Sequence, residues 1–381
     1  MDRSVLWLPA HPAEGYVSMD RYWRELDLHR LSREADPSNV PAGICIESAL
    51  PSSPPFHSRR ANRFIRGWQK YFGYPWAVRR KNRGGRIGLV HVLDHGYAHL
   101  LKSVPKHVFK VATVHDVAPL RPAADDGLST AQRLRFRRTL ECLFDADLLV
   151  ADSAFTAAEA VELLGCRPEK IKVLPVGVDL RRFEQAHHPP ATTPNALTRR
   201  IVLSVGTIAS RKNLRMLPEI FRRLATKESD GLPCLIRVGE LLPPDLAEEL
   251  RAVLGADGLH ELGFLNESDL VGIYQRADCL LFPSTLEGFG FPVLEAMAAG
   301  CPVVCSNASS IPEVGGDAAL YFTPGDAEAA AASLALLFSS KEERAARKLA
   351  GHEQARKFSW SCHFERLLEI YSEGLDQRNH Q

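Results

Sequence analysis

The sequence predicts an α/β protein made of two doubly wound halves, and three observations carry that expectation. Short apolar or β-branched runs alternate with helical patterns along the chain, the signature of βαβ units and of parallel sheets covered on both faces. The alternation breaks once, at DLRRFEQAHHPPATTPNALTRR (residues 179–200), which is rich in Pro and Thr, has little periodicity and reads as a linker. The length, 381 residues at 45% hydrophobic content, allows two or three domains and a large buried core.

In the first half, residues 1–178, strands are expected at SVLWLP, GICIES, RIGLVHVL, VFKVATV, DLLVA and IKVLPV. The second half, residues 201–357, has them at RIVLSVG, CLIRVG, DCLLFP, CPVVCS and AALYF. Residues 358–381 hold an amphipathic helix, FSWSCHFERLLEIYSEGL, long enough to pack back toward the first half. Ligands of open α/β sheets bind beyond the carboxyl ends of the strands, so two facing sheets would place a cleft between them.

Composition narrows the function. Basic and acidic residues nearly cancel, at a net charge of +1, which argues against a nucleic-acid partner. No apolar run reaches the ~18 residues of a membrane span. The stretch MDRSVLWLPAHPAEG is too weakly apolar for a signal peptide, so a cytoplasmic location is expected. The eight cysteines show neither C-x-x-C pairs nor zinc spacing and read as buried thiols in a reducing compartment.

The chemistry concentrates in the second half. In STLEGFGFPVLEAMAAG, Glu287 falls on the loop after a strand and Glu295 about one turn into the following helix. Pro292 suits the first turn and Gly300 the C-terminal cap. Gly288 and Gly290 let backbone N–H groups approach a ligand closely, and two carboxylates suit sugar and ribose hydroxyls. Taken alone, either glutamate reads as a solvated surface charge; Glu295, behind Val293 and Leu294 in an apolar helix, fits that reading poorly. In SVGTIASRKNL a strand ends at Gly206 and the loop presents Arg211 and Lys212, two cations suited to a diphosphate. Diphosphate, ribose and hexose together make a nucleotide sugar. In the first half, VATVHDVAPLRP puts His115 and Asp116 at a strand's carboxyl end, an ionisable pair where a site is expected.

The segments EGFGFPVLEAMAAGCPVV, VGTIASRKNL, SSIPEVGGDAALYFTPGD and VLPVGVDLRRF together resemble the retaining glycosyltransferases of family 4. That resemblance implies the GT-B fold, two facing Rossmann-like domains with a cleft between them. It implies that Arg211 and Lys212 hold the donor diphosphate and that Glu295 binds the ribose. Glu287 and the backbone of Gly288, Phe289, Gly290 and Phe291 would hold the transferred hexose. The base would lie beside LGFLN, against the backbone of Phe264 and Leu265. His115 would approach the donor sugar, with Asp116 orienting it or facing the acceptor. The family's glycine-rich first loop corresponds to EGYVSMDRYWREL, where Ser18 and Asp20 replace glycines, Arg21 and Tyr22 fit, and Gly15 supplies the turn.

Two further features stand outside that core. His91, His95 and His99 are spaced by four but straddle a strand and a helix, so no metal is assigned; His95, at the strand end, is a candidate acceptor contact. Arg59 to Arg86 is basic, free of acidic residues and threaded with aromatics. It fits an anionic membrane surface better than single-stranded nucleic acid, and aromatics packing on the sheet are the plain alternative.

The expected activity is therefore a cytoplasmic, retaining hexosyl transfer, with mannose the leaning, from a UDP- or GDP-sugar to a saccharide or lipid-linked saccharide, peripheral to the membrane. No Asp-x-Asp metal motif is assigned, so no cofactor and no metal are expected, the two cations taking the metal's place. A nucleotide-sugar epimerase or hydrolase would need further acid/base residues, and a non-catalytic sensor would not need all five of His115, Arg211, Lys212, Glu287 and Glu295.

Overall fold

The computed structural model describes residues 3–11, 17–34, 44–49, 67–121, 129–187, 199–228 and 231–379. They build two six-stranded, all-parallel sheets, each the centre of its own compact unit.

The first unit gathers the described residues up to 121, those from 129 to 177 and the helix Trp360–Asn379. Its strands are β1 (Ser4–Leu8), β2 (Cys45–Ser48), β3 (Ile87–Val92), β4 (Phe109–Val114), β5 (Leu148–Ala151) and β6 (Ile171–Val173), in the order β2-β1-β3-β4-β5-β6. Leu6, Leu8, Val90, Val92, Ala112 and Val114 anchor its core, as expected of strands covered on both faces. The helix Trp360–Asn379 is tied down by a buried polar chain. Trp7 Nε1 donates to the Tyr371 hydroxyl (2.7 Å), which meets His91 Nδ1 (2.6 Å), while His91 Nε2 meets Thr113 Oγ1 (2.8 Å). His363 on the same helix lies 3.2 Å from the Tyr22 hydroxyl. Burial pushes His91 down to about 3 and His363 down to about 4, so both rings are neutral.

The second unit holds the described residues between 178 and 359. Its strands are β7 (Ile201–Gly206), β8 (Cys234–Gly239), β9 (Leu259–Glu261), β10 (Cys279–Phe282), β11 (Val303–Ser306) and β12 (Leu320–Phe322). Their order, β12-β11-β10-β7-β8-β9, is that of a dinucleotide-binding sheet, and the direction of winding reverses between β7 and β10.

Three expectations need correction. β9 was not foreseen, because LHE is too short to show a strand period. The front of the expected linker is ordered structure: Asp179 caps the helix Leu180–Glu184, Arg182 pairs with Glu267, and Gln275 donates to the Phe183 carbonyl (2.8 Å). Residues 188–198 lie outside the described residues. Of the eight cysteines, Cys45 and Cys362 are exposed rather than buried. Among the described residues no helix is long and apolar enough to cross a membrane.

Candidate active site

In the second unit the site grows from the winding reversal. The loops leaving β7 and β10 emerge side by side there, and they carry Arg211, Lys212 and Glu287. Lys212 Nζ donates to Glu287 Oε1 at 2.6 Å, and Arg211 Nη1 donates to Glu287 Oε2 at 2.9 Å. Arg211 Nη1 also reaches the Leu286 carbonyl, and Thr285 N donates to the Arg211 carbonyl at 2.7 Å, which laces the two loops together. Burial alone would raise the Glu287 carboxyl, but Lys212 and Arg211 outweigh it and hold it below the usual range. Burial pulls the Lys212 ammonium down; Glu287 opposes this, and Arg211 and Arg237 add to it. The two shifts have different causes: at Glu287 the neighbouring cations outweigh burial, and at Lys212 burial outweighs the pull of Glu287. Such a cluster is suited to take up an anion.

The two cations lie on the connection between β7 and the next α-helix. They occupy a 3₁₀ turn, Ser210–Lys212, and the next α-helix begins only at Leu217. Gly206 (φ 132°) and Gly239 (φ 117°) pair across β7 and β8, and a Cβ on Gly239 would lie 2.1 Å from the Gly206 carbonyl oxygen. Arg237, 1% exposed within β8, donates to the carbonyls of Ser204, Gly206, Thr207 and Val238 and so fixes the carboxyl end of β7. Burial pulls its guanidinium down to about 10.

The glutamate loop is held from behind. Glu287 N donates to Ser309 Oγ (2.9 Å), and the Ser310 hydroxyl lies 2.9 Å from the Glu287 carbonyl and 2.8 Å from that of Phe289. Gly290 (φ 114°) precedes the helix Phe291–Ala298, with Pro292 in its first turn. Phe289 is buried and edge-on to Phe291 at 5.5 Å. Glu295 is buried rather than solvated and accepts from the Tyr274 hydroxyl at 2.8 Å. Phe264 and Leu265 follow β9, and the Phe264 ring is exposed. Arg237, Tyr274, Ser309 and Ser310 were missed by sequence reasoning.

In the first unit, register does the assembly. Val114 pairs with Ala151, so the next residues of β4 and β5, His115 and Asp152, leave the sheet side by side. His115 Nδ1 lies 2.6 Å from Asp152 Oδ2, and His115 Nε2 lies 2.9 Å from the Leu93 carbonyl. Both partners are acceptors, so both ring nitrogens carry hydrogen and the ring is an imidazolium. Burial opposes that charge, yet Asp152 lifts His115 to about 9. The orienting carboxylate is therefore Asp152 and not Asp116, whose Oδ1 accepts from Ala118 N in a local turn. His95 joins the cluster through its Nδ1, which accepts from His115 N at 3.2 Å. His91 faces Tyr371 and Thr113, and His99 Nε2 the Lys70 carbonyl, so the three histidines share no site. Arg21 sits half-buried on the helix Val17–Glu34 beside Tyr22, whose buried ring stands edge-on to His115 at 4.9 Å. Gly15 lies outside the described residues. Among the described residues no group of three His, Cys, Asp or Glu could hold a metal ion.

Residues 34–182 match the family described as Glycosyltransferase Family 4, and residues 190–354 the one described as Glycosyl transferases group 1. Both matched stretches are glycosyltransferase domains. This glycosyltransferase chain is 31% identical over 235 residues to O-antigen chain mannosyltransferase B of Escherichia coli, a stretch covering 61% of this chain and 62% of that one. It is 29% identical over 236 residues to the MMP alpha-(1->4)-mannosyltransferase of Mycolicibacterium hassiacum, covering 60% and 54%. The matched stretch thus spans just over half the length of these curated relatives. The fold is GT-B: sucrose-phosphate synthase from Thermosynechococcus elongatus superposes with a TM-score of 0.72 over 97% of this chain and 98% of that one, at 18% identity.

Proposed function

We propose that the protein is a retaining, metal-independent glycosyltransferase that moves a hexose from a nucleotide diphosphate sugar to a hydroxyl of a saccharide or lipid-linked saccharide. The cluster of Arg211, Lys212 and Glu287 at the winding reversal of the second sheet carries this reading. A donor diphosphate there would share the two cations with Glu287, and the negative charge that builds on the departing diphosphate would be stabilised by them. The cations would thus do what a divalent metal does in other transferases. Glu295, held by Tyr274, would receive the ribose hydroxyls, and Glu287 with its glycine loop the hexose. The two mannosyltransferase relatives support mannose as the sugar. Retention follows if the departing phosphate itself accepts the acceptor's proton on the face it leaves, a route that needs no carboxylate nucleophile.

The test is incubation with UDP- and GDP-sugars, with and without saccharide acceptors, in EDTA and in excess magnesium, followed by mass spectrometry and anomeric NMR. The expected result is transfer that needs an acceptor, retains configuration and survives EDTA. An altered donor in the absence of acceptor would identify an epimerase or hydrolase, and an unchanged donor that still binds would identify a sensor.

A further inference from the structure

The helical segment 67–82 turns one face into the first unit and the other outward. Tyr74, Val78 and Asn82, spaced by four, are buried, and the Tyr74 hydroxyl reaches the carbonyls of Ala49 (2.6 Å) and Pro9 (3.1 Å). Trp68, Phe72 and Trp76, also spaced by four, lie on the outer face and are 57%, 65% and 59% exposed. Scattered exposed apolar side chains are ordinary, but a row of three large aromatics on one helix face is not.

The charge around that row has one sign. Residues 67–86 contain six Lys and Arg and no Asp or Glu. Lys81 pairs with Glu47 of β2, whereas Arg79, Arg80, Arg83 and Arg86 form no ion pair among the described residues. The Arg80 guanidinium lies 5.5 Å from the Trp76 ring centre, joining the row to a groove of about 650 Å³. Trp76, Arg80, Lys81 and Arg86 line the groove with Glu47 and Ser4. It opens at the amino ends of β1 and β3, the opposite end of the sheet from His115.

We propose that this face docks on an anionic phospholipid bilayer. Trp68, Phe72 and Trp76 would sit at headgroup level, and Arg80 and Arg86 would hold a lipid phosphate in the groove. The occupant follows from complementarity: rings with apolar bodies, flanked by cations lacking carboxylate partners, match the apolar and anionic layers of a membrane interface. A helix face offers a line of side chains and not the concave aromatic platform on which single strands stack. The site lies at the far end of the sheet from His115, and its test uses neither donor nor acceptor, so it stands or falls independently of the transferase reading.

The experiment is co-sedimentation with phosphatidylcholine vesicles and with equimolar phosphatidylcholine–phosphatidylglycerol vesicles, at low and near-molar salt, following tryptophan emission. The expected result is binding to the anionic vesicles alone, weakened by salt, with a blue shift. The variants W68S/F72S/W76S and R79S/R80S/R83S should each lower it by about tenfold or more while keeping the native circular dichroism. Absent binding, or binding that both variants preserve, would overturn the proposal. So would displacement from the vesicles by a single-stranded oligonucleotide, or binding of inorganic phosphate in the absence of any vesicle binding. A wild-type dimer that the aromatic variant dissociates would assign the face to a second copy instead.

Discussion

Glu287 is a buried carboxylate whose two oxygens each receive a cation, one from Lys212 and one from Arg211. Taking Lys212 to Ala leaves Glu287 paired with Arg211 and the fold intact. It should weaken nucleoside diphosphate binding by about 1.5–3 kcal/mol, the range for a hydrogen bond to a charged group; isothermal titration measures it. Removing the carboxylate acts on stability. Glu287→Gln leaves Lys212 buried without its counter-charge and should cost about 3–5 kcal/mol in urea unfolding, and Lys212→Met in the same chain should recover part of it. Equal stability of Glu287→Gln and wild type would mean the pair is solvated. At His115 the decisive neighbour is Asp152. Asp152→Asn keeps the burial and removes the charge, so an NMR titration should show the imidazole falling from about 9 to below its ordinary value. An unmoved titration would assign the shift to another group.

At the scale of elements, the sheet edges position the chemistry. β7 and β8 close so tightly at Gly206 and Gly239 that no side chain fits between them. Gly239→Ala combines a strained φ with an overpacked contact and should lower stability by about 2–6 kcal/mol, read as a drop in the thermal midpoint. A midpoint within one degree of wild type would show the pairing to be adjustable. Much of this was legible beforehand. The strand-to-loop step at Gly206, the Gly-Pro start of the helix Phe291–Ala298 and the placement of both glutamates follow from local residue chemistry. What stayed hidden depends on register. Asp152 looks like the residue before a helix cap, since Ser153 does cap the helix Ala154–Leu164, and only the Val114–Ala151 pairing brings it to His115. Arg237 reads as a surface residue of a strand until four carbonyls are found around it. The segment Arg59 to Arg86 splits, within its described part, into a buried tyrosine and an exposed aromatic row, a division that composition alone does not contain.

Across the whole molecule, buried histidines set how stability varies with pH. His91 and His363 are held neutral, at about 3 and about 4, below the unfolded value near 6.5. A depressed histidine means that the unfolded chain binds more protons, so their contribution is complete above pH 6.5 and is lost on acidification, by about 1.4 kcal/mol per unit for each. His115 has the opposite sense. Raised to about 9, it stabilises fully below pH 6.5, and its contribution is lost as pH climbs through 9. The unfolding free energy should therefore peak near pH 6.5, fall steeply toward pH 5 and fall more gently toward pH 9. His91→Gln should flatten the acid limb, and an acid limb unchanged in that variant would place the proton uptake elsewhere. Whether the second unit holds a nucleoside diphosphate sugar on Arg211 and Lys212 is decided by the thermal midpoints of wild type and Lys212→Ala with saturating GDP-mannose and UDP-glucose. At least one donor should raise the wild-type midpoint, because a ligand of the folded state stabilises it, and the same donor should move the variant far less. Equal shifts in the two proteins, or no shift with either donor, would contradict that placement.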